Sequence, residues 1–389
     1  MKDVEFGSLF QFIRNGMSVK QDKSGDGLPI TRIETIAGAT VDSSRVGYAG
    51  VSEEDGARWL LEPGDILFSH INSVEHVGKC AIYRGTPEKL VHGMNLLCMR
   101  CDQTQLLPDF ATYLIRSAGF RARLQNFINK AVNQASVSIG NLKPIPVSIP
   151  SLSEQRRIAA ILDQADALRA KRREALAQLD SLTQSIFIEM FGDPVRNERG
   201  WPLAQFGAIG QLDRGVSKHR PRNDPELLGG CHPLVQTGEI ANCDGYVRHY
   251  THTYSDLGLK QSKLWPAGTL CITIAANIAK TGILTFDACF PDSVVGFRAD
   301  APATVEFARV WLSFLQRALE DAAPESAQKN INLAILRGLA IPVVPLHRQQ
   351  TFAARIQSVE ALKASHRAAL QALDKLFASL QHRAFAGEL

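Results

Sequence analysis

The feature that most constrains this chain is a long helical pattern near its middle that returns close to its C-terminal end. Residues 151–194 carry apolar residues at heptad spacing over four repeats, and Gly192 and Pro194 end the pattern. Residues 346–385 overlay this stretch without a gap, at an offset of 194 residues. Such an ungapped match over the whole second stretch does not arise by chance, so the sequence predicts a duplicated helix.

Two positions of each heptad form the predicted seam between the helices, because apolar residues at this spacing are typical of a coiled coil. A heptad alone equally describes the core of a helix bundle. Ser153 is the predicted N-cap of the first helix. The predicted seam residues are Ile158, Ala165, Arg172, Leu179 and Ile186 with Ile161, Leu168, Ala175 and Leu182, and the residues 194 positions further on.

The segments before the two helices repeat as well. Residues 29–38 overlay 233–242, and residues 61–83 overlay 265–287, both at an offset of 204. This overlay places Gly78 on Gly282. Each copy has a glycine turn, a hydrophobic strand, a polar bend and a second strand. The order domain, helix, domain, helix, with short connections, predicts that the two helices run antiparallel.

The predicted fold class is α+β, with two globular domains of mixed β-rich fold joined by two long antiparallel coiled-coil helices in a pseudo-twofold repeat. The predicted boundaries are domain 1 at 1–150, helix 1 at 151–192, domain 2 at 193–345 and helix 2 at 346–389.

Composition places few limits on function. The chain has 389 residues, 45% of them hydrophobic, and a formal net charge of +4, which permits a nucleic-acid partner without requiring one. Cys98 and Cys101 form a single C-x-x-C in a strand-like segment, so a structural role is expected for them rather than a zinc site. The start of the chain lacks an apolar signal core and no run approaches membrane-spanning length, so a cytoplasmic protein is expected.

Motifs for the relevant enzymatic chemistries are missing from the sequence. It contains neither the N-P-P-Y or D-P-P-Y tetrapeptide of DNA methyltransferases nor the G-x-x-x-x-G-K-[ST] loop of a motor ATPase. The acidic-x-Lys pair of common nucleases is absent too. The histidines His219, His232, His249 and His252 lack metal-ligand spacing, so neither a metal site nor a cofactor is expected.

The stretch 151–194 contains the run L-x-E-Q-R-R-I-A-x-I-L-D-x-A-D-A-L and the ending S-I-F-x-E-M-F-G-D-P. Both motifs resemble the central region of the specificity subunits of type I restriction-modification enzymes. Residues 64–69 (GDILFS) match the target-recognition strand of that family. The second copy departs from the pattern, since Arg348 replaces Glu154 and its ending differs.

The resemblance implies a non-catalytic subunit that binds double-stranded DNA at a bipartite target. Each globular domain would read one half-site, and the helices would serve as spacer and as docking surface for two modification (methyltransferase) subunits. Those subunits carry S-adenosylmethionine, and restriction (motor nuclease) subunits join them. Three alternatives stay open: a stand-alone two-headed DNA-binding protein, a targeting subunit of another DNA-modification defence system, and a coiled-coil scaffold that binds only protein.

Candidate DNA contacts are polar and basic residues in predicted loops, which suit phosphates and base edges. They lie in a bend of domain 1, in a basic loop of domain 2, in the counterpart of the bend, and in the segment leading into helix 2. They are His70, Asn72, Ser73, His76 and Lys79; Arg214, Lys218, His219, Arg220 and Arg222; Asn277 and Lys280; and Lys329 and Asn330.

Overall fold

The computed structural model describes residues 1–22, 25–131, 134–219, 221, 224–275, 278–321 and 331–389. These residues form two compact units. Unit 1 comprises Met1–Arg173 with Ala368–Leu389, and unit 2 comprises Glu174–Arg367. Every helix in the described part of the chain is too short or too polar to cross a membrane.

Unit 1 is built around an antiparallel four-stranded sheet. Its strands lie in the order Phe10–Asn15, Leu96–Cys101, Ile66–Ser69 and Cys80–Ile82. Side chains pack on both faces of the sheet, and Cys98 and Cys101 are buried in different clusters, as expected for opposite faces of one strand. The other strands are Lys2–Glu5, Pro29–Ile30, Gly47–Tyr48, Ile71–Asn72, Asn129–Ala131, Gln134–Ser136 and Pro146–Ile149, and the shorter α-helices are Glu53–Gly56, Pro108–Arg116, Ala118–Gln125 and Ile139–Leu142.

Unit 2 repeats this sheet and adds a fifth, parallel strand. The order is Gln211–Arg214, Val294–Arg298, Leu270–Thr273, Thr281–Leu284 and Gly245–Val247. The first four strands follow the same chain order as the sheet of unit 1, which confirms the predicted internal repeat. The other strands are Leu203–Gln205, Leu228–Leu234, His252–Tyr254, Leu264–Trp265, Ala288–Cys289 and Ala340–Pro342, and the shorter α-helices are Thr237–Ala241, Asp256–Lys260, Pro302–Asp321 and Leu333–Gly338.

The two predicted long helices are present, at Leu152–Phe191 and Leu346–Ala386. They pair antiparallel within each unit. In unit 1 the Arg169 guanidinium lies 2.7 Å from the Asp374 carboxylate, and in unit 2 the Lys363 ammonium lies 2.7 Å from the Asp180 carboxylate. Because Arg169 and Asp180 correspond to Lys363 and Asp374 at the 194-residue offset, the two ion pairs are equivalent contacts of the repeat.

One of the two predicted seam positions is wrong. Ile158, Ala165 and Ile186 are buried as expected, but Leu168 and Leu182 are 51% and 40% exposed. The second seam position lies one residue later. It comprises Leu162, Arg169, Leu176, Thr183 and Met190, and in the second helix Ile356, Lys363, Leu370, Phe377 and Ala384.

The predicted N-cap of the first long helix is also wrong. The helix begins at Leu152, and the Glu154 amide donates to the Ser151 hydroxyl at 3.4 Å, so Ser151 rather than Ser153 is in the capping position. Proline at position 150 keeps the chain extended up to this point.

Candidate nucleic-acid interface

The polar bend of unit 1 connects Ile66–Ser69 to Cys80–Ile82 and is held in one conformation by its own hydrogen bonds. The Gly78 amide donates to the Ser69 carbonyl at 2.9 Å, and the Ser69 amide donates to the Lys79 carbonyl at 2.8 Å. Gly78 has a φ of +86°, and a Cβ there would lie 2.7 Å from the Leu124 side chain. Glycine therefore allows the bend to fold back tightly against the core.

The candidate residues of this bend differ in exposure. Ser73 is exposed and its hydroxyl lies 3.1 Å from His76 Nδ1, while the Asn72 amide donates to Ser69 Oγ at 3.3 Å. Lys79 is half-buried. His70 is only 7% exposed, and burial lowers the pKa of its imidazole below the ordinary value. Its side chain therefore lies behind the bend, whereas the other four reach the surface.

A neighbouring hairpin extends this polar surface. The strand Ile71–Asn72 pairs with Gln134–Ser136, which pairs in turn with Asn129–Ala131. Asn129, Lys130 and Gln134 are exposed there. None of these three residues is among the DNA contacts predicted from the sequence.

Unit 2 has a bend with the same hydrogen bonding. The Thr273 amide donates to the Lys280 carbonyl at 3.0 Å, and the Ala279 amide donates to the Thr273 carbonyl at 2.8 Å. Ala279 has a φ of +56° and so takes the place of Gly78. The overlay of Gly78 on Gly282 is therefore wrong, because the second bend is three residues shorter. Lys79 and Lys280 occupy equivalent positions, and Asn277 lies outside the described residues.

The basic loop that follows Gln211–Arg214 is tied to its surroundings. The Arg214 guanidinium donates to the Asp292 carbonyl at 2.6 and 2.9 Å, and the Lys218 amide donates to the Gln261 side chain at 2.7 Å. His219 Nε2 lies 3.0 Å from an Asp224 carboxylate oxygen. The pKa of Asp224 is lowered first by the hydrogen bond from the Glu226 amide and then by His219.

The side chains of Arg214, Lys218 and His219 are exposed, so the loop presents them on the surface of unit 2. Four further candidates cannot be placed, because they lie outside the described residues. They are Arg220, Arg222, Lys329 and Asn330.

The family of the chain follows from comparison with known proteins. The model of the family described as type I restriction modification DNA specificity domain matches residues 1–178 and 206–375. The chain belongs to this family and is a sequence-specific DNA-recognition subunit, with two repeated domains that match recognition of a target in two halves.

Among individual relatives, the candidate MjaX type I restriction enzyme specificity subunit of Methanocaldococcus jannaschii is 30% identical over 92% of this chain and 86% of its own length. The EcoKI type I restriction enzyme specificity subunit of Escherichia coli is 32% identical over 49% of this chain and 42% of its own length.

Two solved structures share the fold. A chain from a study of complex assembly and conformational transition in a type I R-M system matches with a TM-score of 0.56 and 17% identity, over 100% of this chain and 98% of that one. The type I restriction-modification S subunit from M. genitalium matches with a TM-score of 0.59 and 13% identity, over 99% of this chain and 96% of that one.

Proposed function

We propose that this protein directs type I methyltransferase and restriction subunits to a bipartite site in double-stranded DNA and performs no chemistry itself. In this proposal the target-recognition domains are residues 1–150 and 193–345, and the long helices join them. The observation that carries the proposal is the duplicated bend, in which Lys79 and Lys280 occupy equivalent positions in two copies of one sheet. Equivalent surfaces in two domains suit two half-sites.

The proposed DNA surface of unit 1 is formed by its bend and the neighbouring hairpin. Asn72, Ser73 and His76 supply hydrogen-bonding groups for base edges, and Lys79 and Lys130 supply positive charge for phosphates. His70 supports the bend from behind. In unit 2 the surface is formed by the basic loop and the bend that contains Lys280. The candidates outside the described residues remain proposed contacts on the basis of their sequence.

Exposed leucines support the docking of two partner subunits on the long helices. In unit 1 Leu168 and Leu376 are 51% and 49% exposed, and in unit 2 Leu182 and Leu362 are 40% and 53% exposed. A single exposed leucine needs no explanation. The 194-residue offset, however, relates Leu168 to Leu362 and Leu182 to Leu376. Each unit presents one exposed leucine from each helix, as expected for two similar docking surfaces.

Reconstitution with a modification subunit tests this proposal. We expect a complex of two modification subunits to one copy of this chain, which transfers labelled methyl groups from S-adenosylmethionine to DNA, whereas this chain alone transfers none. Methyl transfer by the chain alone contradicts a non-catalytic role. A one-to-one complex at saturation contradicts two docking surfaces. Tight sequence-specific binding that partner subunits leave unchanged would favour the stand-alone DNA-binding protein.

A matched pair of variants tests the docking surface in unit 1. We expect Leu168→Glu to weaken binding of the modification subunit at least tenfold. Ala170→Glu adds the same charge at an exposed position of the same helix, about 200° around the helix axis from Leu168 at 100° per residue. The Ala170→Glu variant should bind the modification subunit as tightly as the unmodified chain does. Equal weakening by both variants would indicate a general effect of charge on the helix rather than loss of an apolar contact.

A further inference from the structure

Three side chains of types that bind metal ions converge on the surface of unit 2. His232 Nε2 lies 2.9 Å from an Asp256 carboxylate oxygen and 3.8 Å from the Cys231 sulfur. The three atoms all lie within 4.8 Å of one another. In the part of the chain that the structure describes, this is the one such group of three.

A β-bulge brings these residues together. Leu228 and His232 both pair with Tyr254, so the three residues between them bulge out of the strand Leu228–Leu234. Gly229 within the bulge has a φ of +81°. A Cβ at Gly230 would lie 2.4 Å from the Tyr254 carbonyl oxygen, so the close approach of the bulge to this neighbouring strand requires glycine.

The bulge also explains why neighbouring residues of one strand meet. In a regular strand, Cys231 and His232 would point to opposite faces. Here the irregular backbone directs the thiol and the imidazole to the same point. Asp256 lies near that point, since it directly follows Ser255, whose Cα would lie 2.5 Å from a Cβ at Gly230.

The distances suit a tetrahedral ion after small side-chain movements. With Zn–S of about 2.3 Å and Zn–N and Zn–O of about 2.0–2.1 Å, neighbouring ligand atoms of a zinc site lie about 3.3–3.6 Å apart. The observed separations of 2.9 Å between His232 and Asp256 and 3.8 Å between Cys231 and His232 lie just below and just above this range. A thiolate, an imidazole and a carboxylate form a mixed ligand set that suits Zn²⁺ or Co²⁺, and a water molecule would complete the tetrahedron.

The group is specific to the second copy of the repeat. At the 204-residue offset, Cys231 and His232 correspond to Gly27 and Leu28 in unit 1, which provide no ligand atoms. Cys231 is also exposed, whereas Cys271 and Cys289 of the same unit are buried. The thiol is therefore accessible to an ion from solution.

We propose that Cys231, His232 and Asp256 form a binding site for one divalent transition-metal ion, with zinc as the preferred ion. Binding replaces the thiol proton by the metal, so one proton is released as the S–metal bond forms. The bound ion links the bulge to the start of the helix Asp256–Lys260 and so stabilises this surface of unit 2. This proposal does not depend on DNA binding or on partner subunits.

Cobalt titration of the full chain under reducing, metal-free conditions tests the proposal. We expect saturation at one equivalent, with thiolate-to-cobalt charge-transfer absorption and displacement of cobalt by zinc. Cys231→Ser should abolish the charge-transfer band, and Asp256→Asn should weaken binding at least tenfold. Zinc should also raise the thermal midpoint of the unmodified chain but not that of Cys231→Ser.

Cys243→Ser is the matched control. Cys243 is a half-buried cysteine of the same unit, whose thiol donates to the Ile240 carbonyl at 3.1 Å, and serine keeps that donor. It should bind cobalt as the unmodified chain does. Absence of saturable binding, or a charge-transfer band that survives Cys231→Ser in a folded variant, would overturn the proposal. Unchanged affinity in Asp256→Asn would overturn the three-ligand assignment.

Discussion

Truncating two leucines of the first long helix distinguishes the seam in the structure from the one that heptad spacing predicts. Leu162 is 0% exposed and Leu168 is 51% exposed. Leu162→Ala leaves a cavity in a closed core and should cost about 3 kcal/mol of unfolding free energy. Leu168→Ala removes a half-exposed side chain and introduces a slightly better helix former, so its cost should stay below about 0.5–1 kcal/mol.

Urea denaturation monitored by circular dichroism measures the difference in unfolding free energy between the two variants. At a slope of about 2 kcal/mol per molar urea, Leu162→Ala should lower the midpoint for unit 1 by about 1.5 M, and Leu168→Ala by less than about 0.5 M. Ile356→Ala and Leu362→Ala repeat the comparison in unit 2, with exposures of 0% and 53%. If Leu168→Ala lowered the midpoint as much as Leu162→Ala, the seam described here would be refuted.

Burial lowers the pKa of His92 to about 4, so the histidine is neutral in the folded chain while the unfolded chain takes up a proton below pH 6.5. The free energy of unfolding should therefore fall by at most about 3 kcal/mol as the pH is lowered from 6.5 to 4. His92→Gln should make the urea midpoint depend less steeply on pH, and an equally steep dependence in this variant would contradict the prediction. Lys79→Ala and Lys280→Ala should each weaken DNA binding and reduce the slope of log affinity against log salt by about one, as measured by fluorescence anisotropy; an unchanged slope would exclude a phosphate contact. Inserting one heptad after both Leu179 and Leu373 should lengthen the gap in the DNA target by about three base pairs, since seven residues add about 10 Å of helix; mapping of methylated sites checks this, and an active complex with the original gap would contradict it.

The internal repeat could be predicted from the sequence because its signals are local. Ungapped similarity gave the long helices, and the glycine turns before Ile66–Ser69 and Leu270–Thr273 marked equivalent strands. The second seam position could not be predicted in this way. Leu168 is apolar yet faces outward, whereas Lys363 is charged yet 5% exposed, because an ion pair with Asp180 accompanies its burial.

The site was less predictable than the fold, because loop geometry depends on contacts that spacing does not reveal. The shorter second bend places Ala279, rather than a glycine, at a positive φ, so residue type was a poor guide to the alignment. His70 has a typical base-reading side chain, but its position at the end of a core strand buries it. The group of Cys231, His232 and Asp256 depends on a bulge that joins residues 24 positions apart.

The charged residues within the seam have a physical role that apolar residues cannot fill. A purely apolar heptad tolerates slippage by one heptad, since each apolar layer meets another. Here Arg169 lies opposite Asp374 and Lys363 lies opposite Asp180. Each cation also has a carboxylate three residues earlier on its own helix, Asp166 at 2.6 Å from Arg169 and Glu360 at 3.1 Å from Lys363, so a change of register removes the cross-helix partner only.

Both possible one-heptad slips are disfavoured by these residues. A slip in one direction places Arg169 against Arg367 and Lys363 against Arg173, so both ion pairs become like-charge contacts. A slip in the other direction places Lys363 against Phe187 and leaves its charge without a carboxylate opposite. Because the two pairs are related by the internal repeat, a single slip breaks both at once. The duplicated charges therefore favour one register for the paired helices.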